Sequence, residues 1–210
     1  MKITKFVHSC LLVETEERVG LIDPGIFSWE SGLITGNSFE RLDDIIITHE
    51  HEDHVHLPFM KVLVEKFPNV QIHTNQAVAT KLQAVGFKNI STGNSEQVTF
   101  FPAAHESTEP LGQTPDNVGF HYLGRLTDPG DSFECDMTKD ILALPITAPW
   151  GAMTHAAALA LDLKPRVILP IHDWHWNTAA RKAAYERLAD FFAAKGITFV
   201  PLVDGRAVEM

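Results

Sequence analysis

The sequence predicts one layered α/β (α+β) domain over residues 1–210, with sheet inside and helices outside. Three observations carry that expectation. The first part of the chain reads as a strand meander, and later apolar β-branched runs alternate with segments of helical period. No internal repeat, low-complexity tract or long linker divides the chain, so function is expected in its loops. A chain of 210 residues also buries roughly 70% of its unfolded surface, enough for a single core.

Lys2 to Val13 and Arg18 to Asp23 read as strands rich in Ile, Phe, Val and Leu, the second ending at Pro24-Gly25. Ile26 to Ser38 mixes glycine and serine with Phe27 and Trp29 without a sustained period, and reads as an exposed loop. Asp44 to Thr48 contains three consecutive isoleucines, as expected of a buried strand. Apolar residues at 57, 60, 63, 64 and 67 mark one face of a helix over Leu57 to Phe67, which Pro68-Asn69 stops. Val70 to His73 reads as the next strand, and Gln76 to Val85 as a helix closed by Gly86. Val98 to Ala103 and Val118 to Leu123 are strands separated by Glu106 to Asn117, a polar candidate substrate loop. Ile141 to Leu144 and Val167 to Leu169 are strands flanking a helix over Thr154 to Leu163. Asn177 to Lys195 is an amphipathic helix, with Ala184, Leu188, Phe191 and Phe192 on one face and Gly196 at its end.

With 17 Lys and Arg against 27 Asp and Glu, the formal charge is −10. Such a surface repels phosphodiester backbones, so nucleic acid is disfavoured and a small-molecule substrate is the expected partner. No apolar run approaches the roughly 18 residues of a membrane span, and the expectation is a cytoplasmic protein without membrane attachment. Homo-oligomerisation stays open. Cys10 and Cys135 are too few and too far apart for a disulfide framework or a redox pair, and read as buried thiols.

Histidine is the unusual residue: there are 11, and five lie between His49 and His73. His49-Glu50-His51-Glu52-Asp53-His54 follows directly on the isoleucine strand. Alternation lets His49 and His51 point the same way, and the turn beyond brings Asp53 and His54 to a neighbouring point. Imidazole and carboxylate at this density suit zinc, manganese or iron better than calcium or magnesium, and one short loop could serve two metals. The pattern H-x-H-x-D-H arises by chance in about two in a thousand chains of this composition.

This segment resembles the hallmark motif of the metallo-β-lactamase superfamily. Val7-His8-Ser9-Cys10 and Leu21-Ile22-Asp23-Pro24-Gly25 are similar to the opening of its ascorbate-6-phosphate lactonase-like branch of metal-dependent hydrolases. The resemblance implies a four-layer αβ/βα sandwich. It also implies two divalent metal ions, with His49, His51 and His105 at the first and Asp53, His54 and His172 at the second. Asp131, in Pro129-Gly130-Asp131-Ser132, matches the Gly-Asp-Ser/Thr motif whose aspartate bridges both. His105 and His172 each follow an expected strand, so several loops at strand ends would supply the ligands. The chain departs from the pattern at Asp128, where related sequences commonly carry another residue; it is either an added carboxylate beside the site or a turn residue. Flavodiiron relatives carry Glu at the position of His51, which argues against an oxygen-reducing di-iron site.

The implied reaction is hydrolysis of a carbonyl or phosphoryl centre by a metal-bridging hydroxide, with Asp53 holding one metal and orienting that nucleophile. Zinc is the first choice, manganese or iron the others. Two divalent ions offset by Asp53, Asp131 and hydroxide leave a local charge of about +1, so a small anionic substrate, phosphorylated or lactone-like, is admissible. Candidates for a proton donor or a supporting role are His175, His8, His56 and Asp128. Trp29, Trp150, Trp174 and Trp176 fall in expected loops and are candidate pocket walls, or simply caps on the core. His73, His121 and His155 are read as structural. Two alternatives stand beside the hydrolase: a mononuclear non-heme iron dioxygenase acting on thiol persulfides, which His54 and His172 weigh against, and a non-catalytic metal-binding protein.

Overall fold

A computed structural model describes all residues from Met1 to Met210. Along the chain lie β1 (Lys2–Lys5), β2 (Leu11–Glu14), β3 (Val19–Ile22), α1 (Ile26–Glu30), β4 (Asp44–Ile47), α2 (Leu57–Lys66), β5 (Gln71–Thr74), α3 (Gln76–Ala84) and β6 (Ile90–Ser91). There follow β7 (Val98–Pro102), β8 (Val118–Tyr122), β9 (Leu126–Asp128), β10 (Ile141–Pro145), α4 (Met153–Leu163), β11 (Val167–Ile171), α5 (Thr178–Ala193), β12 (Thr198–Phe199) and β13 (Ala207–Glu209). The chain divides into two compact units, Met1–Gly93 with Val203–Met210, and Asn94–Leu202.

In the first unit seven strands form one sheet in the order β13-β1-β2-β3-β4-β5-β6. β1 to β3 pair antiparallel, whereas β3 to β6 pair in parallel. β4 is buried throughout, which is why it reads as an unbroken isoleucine run. Ile45 and Ile47 pack with Phe59, Met60 and Leu63 of α2 and with Val78 and Leu82 of α3, while Ile46, on the alternate face, is equally buried. Each such side chain contributes about 1.5–3 kcal/mol by leaving water. Pro58 opens α2 in its first turn, and the Asn75 side chain caps α3 by accepting from the Val78 amide at 2.9 Å. The one carboxylate within β4, Asp44, accepts two bonds of 2.8 Å from Arg18 and faces His73 Nε2 at 3.0 Å. A buried charge is tolerated because it is paired in this way, and His73 is structural.

Two expectations for this unit need correction. Lys2 to Val13 is not one strand: the Phe6 amide donates to Cys10 O and the Cys10 amide to Val7 O, and His8 takes φ 62° at the reversal. The hairpin makes β1 run parallel to β3 and β4, so the ends of all three lie on one edge of the sheet. Ile26 to Ser38 is an exposed loop only in its second half. It opens as α1, with Ser28 and Ile34 buried and the Trp29 ring 5.0 Å from that of Phe59. Five helical residues are too short to show a period, so only the core contacts reveal the segment.

In the second unit six strands are ordered β12-β11-β10-β9-β8-β7. β7, β8 and β9 pair antiparallel and β9 to β12 in parallel, so β7, β9, β10 and β11 all end on the same edge. α4 and α5 are the crossovers of this parallel part, and Ala156, Ala160, Tyr185, Leu188 and Phe192 pack with Leu142, Leu144 and Ile168. Asn177 caps α5, and Gly196, with φ 75°, follows its end. The buried stripe of α5 is Tyr185, Leu188 and Phe192; Phe191 lies 39% exposed, a helical step of 100° away from it. β6, β9, β12 and β13, of two or three residues each, are too short to alternate visibly and were not expected. No helix is long and apolar enough to cross a membrane.

Candidate metal centre

In the first unit the site is built at the ends of β1, β3 and β4. Asp23, directly after β3 and fully buried with φ 42°, is its hub. Its Oδ1 accepts from the Thr48 amide at 2.9 Å, and its Oδ2 accepts from the Thr48 hydroxyl at 2.8 Å and from His54 Nδ1 at 2.7 Å. The single hydroxyl proton of Thr48 is thereby committed, so His49 Nδ1, 3.0 Å from Thr48 Oγ1, must donate to it. Both imidazoles are fixed in one tautomer, with Nε2 presenting a lone pair. His49 Nε2 faces His51 Nδ1 at 3.1 Å, a pair that a shared proton or cation must join. The loop then turns back, the His54 and Val55 amides both donating to His51 O. Asp53 Oδ2 accepts from His8 Nε2 at 3.1 Å and lies 4.0 Å from His54 Nε2. Ligand atoms of His8, Asp53 and His54 lie within 4.8 Å of one another, as do those of His49 and His51.

Gly25 makes this close approach of chain segments feasible. A Cβ there would sit 1.7 Å from Asp53 O, so no other residue fits without moving the ligand loop. The Ile26 amide donates to Glu52 O and the His56 amide to Pro24 O, strapping the Pro24-Gly25 turn along that loop.

In the second unit His105, Asp131 and His172 follow the ends of β7, β9 and β11. His105 Nδ1 donates to Glu106 O at 2.6 Å, and His172 Nδ1 to Thr147 O at 2.9 Å. A carbonyl can only accept, so each ring, when neutral, again presents Nε2 as a lone pair. Those two nitrogens lie 3.5 and 3.0 Å from the same atom, Asp131 Oδ2. Two lone pairs directed at one carboxylate oxygen repel unless a positive charge, a proton or a metal ion, lies among them, and His and Asp together are a donor set that can hold a metal. Asp128 is fully buried, its Oδ1 accepting from the Gly130 amide at 2.9 Å ahead of Asp131.

Trp150 lies with its ring 5.1 Å from His172 and 5.8 Å from His105, an apolar wall beside two expected ligands. Trp174, 47% exposed, and Trp176, packed on the second core, flank His175. The His175 imidazole is held below its ordinary pKa by burial and then by neighbouring His172, and its Nε2 is 3.4 Å from Thr147 Oγ1. Trp29, partly buried, packs against the first core, and His56 faces Glu52 at 3.2 Å. His121 pairs with Thr127 Oγ1 at 2.9 Å, and His155 lies edge-on to Phe133. Neither reaches the ligands. Cys10 is a buried thiol as expected, its pKa pushed up to about 12 by desolvation. Cys135 is half-buried, and burial raises its pKa too. Reasoning from sequence passed over Asp23, whose only signal is the Ile22-Asp23-Pro24 turn, and Asn117, which has none beyond its loop.

Among solved structures, the chain matches a metal-dependent hydrolase of Parabacteroides distasonis with TM-score 0.71 at 19% identity, over 96% of this chain and 93% of the other. It matches a metallo hydrolase of the archaeon Ignicoccus hospitalis with TM-score 0.67 at 18% identity, over 99% and 97%. At these identities the likeness shows the fold. In sequence it is 29% identical over 201 residues to a protein of Mycobacterium tuberculosis, covering 90% of this chain and 92% of that one. It is also 27% identical over 192 residues to a metal-dependent hydrolase of Caldivirga maquilingensis, covering 79% and 78%. The fold and the His/Asp clusters define the class of metal-dependent hydrolases of the metallo-β-lactamase fold. Residues 2–172 match the β-lactamase superfamily domain, and the chain belongs to that family.

Proposed function

We propose that this protein is a binuclear hydrolase of small anionic molecules, phosphorylated or lactone-like. In this reading His49, His51 and His105 hold one divalent ion, Asp53, His54 and His172 a second, and Asp131 both, with zinc as the resident metal and manganese or iron as substitutes. Such ions, when bound, polarise a carbonyl or phosphoryl oxygen and make water acidic enough to ionise near neutral pH. The observation that carries the reading is the aim of His105 Nε2 and His172 Nε2 at one oxygen of Asp131, each ring locked from behind by a backbone carbonyl.

The chain's own groups complete the chemistry. Asp53 orients the attacking water, and His8, bonded to Asp53 Oδ2 at 3.1 Å, holds that carboxylate in place and relays a proton. Trp150 lines the ligands with an apolar surface, lowering the local dielectric so that charge on the reacting oxygen is stabilised more strongly than in water. Two bound divalent ions would leave a local charge of about +1 and so admit an anion to a protein whose overall charge is −10.

The test is metal content per chain by elemental mass spectrometry, on protein purified without added metal and again after reconstitution. About two zinc or manganese ions are expected, with loss of one or both in His105→Ala and His172→Ala. Screened on lactones and phosphoesters, the loaded protein turns over and Asp53→Ala does not. A single persistent iron, or no metal, overturns the proposal.

A further inference from the structure

Asn117 stands at the end of the Glu106 to Asn117 loop, immediately before β8, and has no place in the ligand set. Its side-chain amide makes three contacts with two other segments. Nδ2 donates to Ala103 O at 2.8 Å and to Pro129 O at 2.9 Å, and Oδ1 accepts from the Asp131 amide at 3.4 Å. Ala103 lies two residues before His105, and Pro129 two before Asp131. The two Nδ2 protons are both used, and since carbonyls only accept, the amide has one permissible orientation. One side chain therefore ties the strand end that carries His105 to the turn that carries Asp131. Glu106 makes a parallel tie, its amide donating to Asp131 O at 2.9 Å and its Oε1 accepting from the Phe133 amide.

We propose that Asn117 is a positioning residue for the metal centre, setting the distance between His105 Nε2 and Asp131 Oδ2 by holding both backbones; this rests on the binuclear reading above. The residue type follows from the chemistry. Aspartate has the same shape but would set a carboxylate against two carbonyl oxygens, and glutamine is a methylene too long to reach all three groups. The tether also closes the base of the loop, whose tip residue, Leu111, is 89% exposed.

The experiment is a cobalt(II) titration of the full chain, followed by its visible absorption bands and by calorimetry, on wild type, Asn117→Ala and Asn117→Asp. Groups that orient metal ligands from behind commonly contribute 10–100-fold in affinity. Both variants are expected to bind cobalt about 10–100-fold more weakly and to show shifted, weaker bands, because the ligands no longer stand at the native separation. Thermal unfolding of the metal-free proteins is followed alongside. A fall in stability with wild-type affinity and bands in the folded protein would reduce Asn117 to a structural role and overturn the inference. Asn117→Asp, which leaves no cavity, carries the test if Asn117→Ala does not fold. If the wild type itself takes up no cobalt, the binuclear reading fails first and this inference with it.

Discussion

The two units supply ligands in opposite ways. The first places four of its candidates within six residues of one loop and backs them with side chains: Asp23 and the Thr48 hydroxyl hold the Nδ1 atoms of His54 and His49. The second takes three candidates from three separate strand ends and backs them with the backbone, through the carbonyls of Glu106 and Thr147. A carboxylate behind an imidazole makes it a stronger donor and can be removed by substitution. A carbonyl is weaker in that respect and cannot be mutated away. The contrast teaches that candidate ligands can be legible as a motif in one region and visible only through topology in another, although in each unit they lie where strands of common direction end.

The contrast can be broken most forcefully at Gly25. Gly25→Ala drives a Cβ into Asp53 O and is expected to cost about 3 kcal/mol or more, read as a lowered urea midpoint, with metal lost from the Asp53 and His54 set. An unchanged midpoint would mean that the loop yields freely and that its packing does not hold the first half of the site. A smaller effect sharpens the comparison between side-chain and backbone support. Asp23→Ala is expected to weaken metal binding by about 10–100-fold, whereas Thr147→Ala, which leaves the carbonyl to His172 intact, should stay within about twofold by the same titration.

The smallest effect concerns a histidine outside the site. Burial, and then Lys139, lowers the His121 pKa below its ordinary value of 6.5. Between the folded and unfolded values the unfolded chain binds more protons, so stability rises with pH there. The contribution is fully present above 6.5 and is lost as pH falls toward the folded value. Denaturation midpoints measured from pH 5 to 7 should therefore show a shallower dependence in His121→Gln than in wild type. An identical slope would mean that His121 titrates alike in both states.

Much of this protein follows from its sequence alone. The isoleucine run of β4, the helical spacing of α2 and the His49 to His54 motif are local patterns, and strand alternation with a tight turn suffices to gather those imidazoles because they are neighbours in the chain. The glycines that follow α3 and α5 are readable for the same reason, each being a local stop signal. Tertiary structure decided the rest. His8 leaves the strand pattern because a reversal at residues 6–10 puts it at the edge where β3 and β4 end. Trp29 joins the core through α1, which is too short to announce itself. Asp23, Asn117 and the carbonyl of Thr147 act through hydrogen bonds between segments as far as 31 residues apart. Sequence periodicity describes which face a residue takes within its own element, and it contains no term for the direction in which distant strands run, which is what brings Asp23 and the Thr147 carbonyl within 3 Å of the imidazoles they hold.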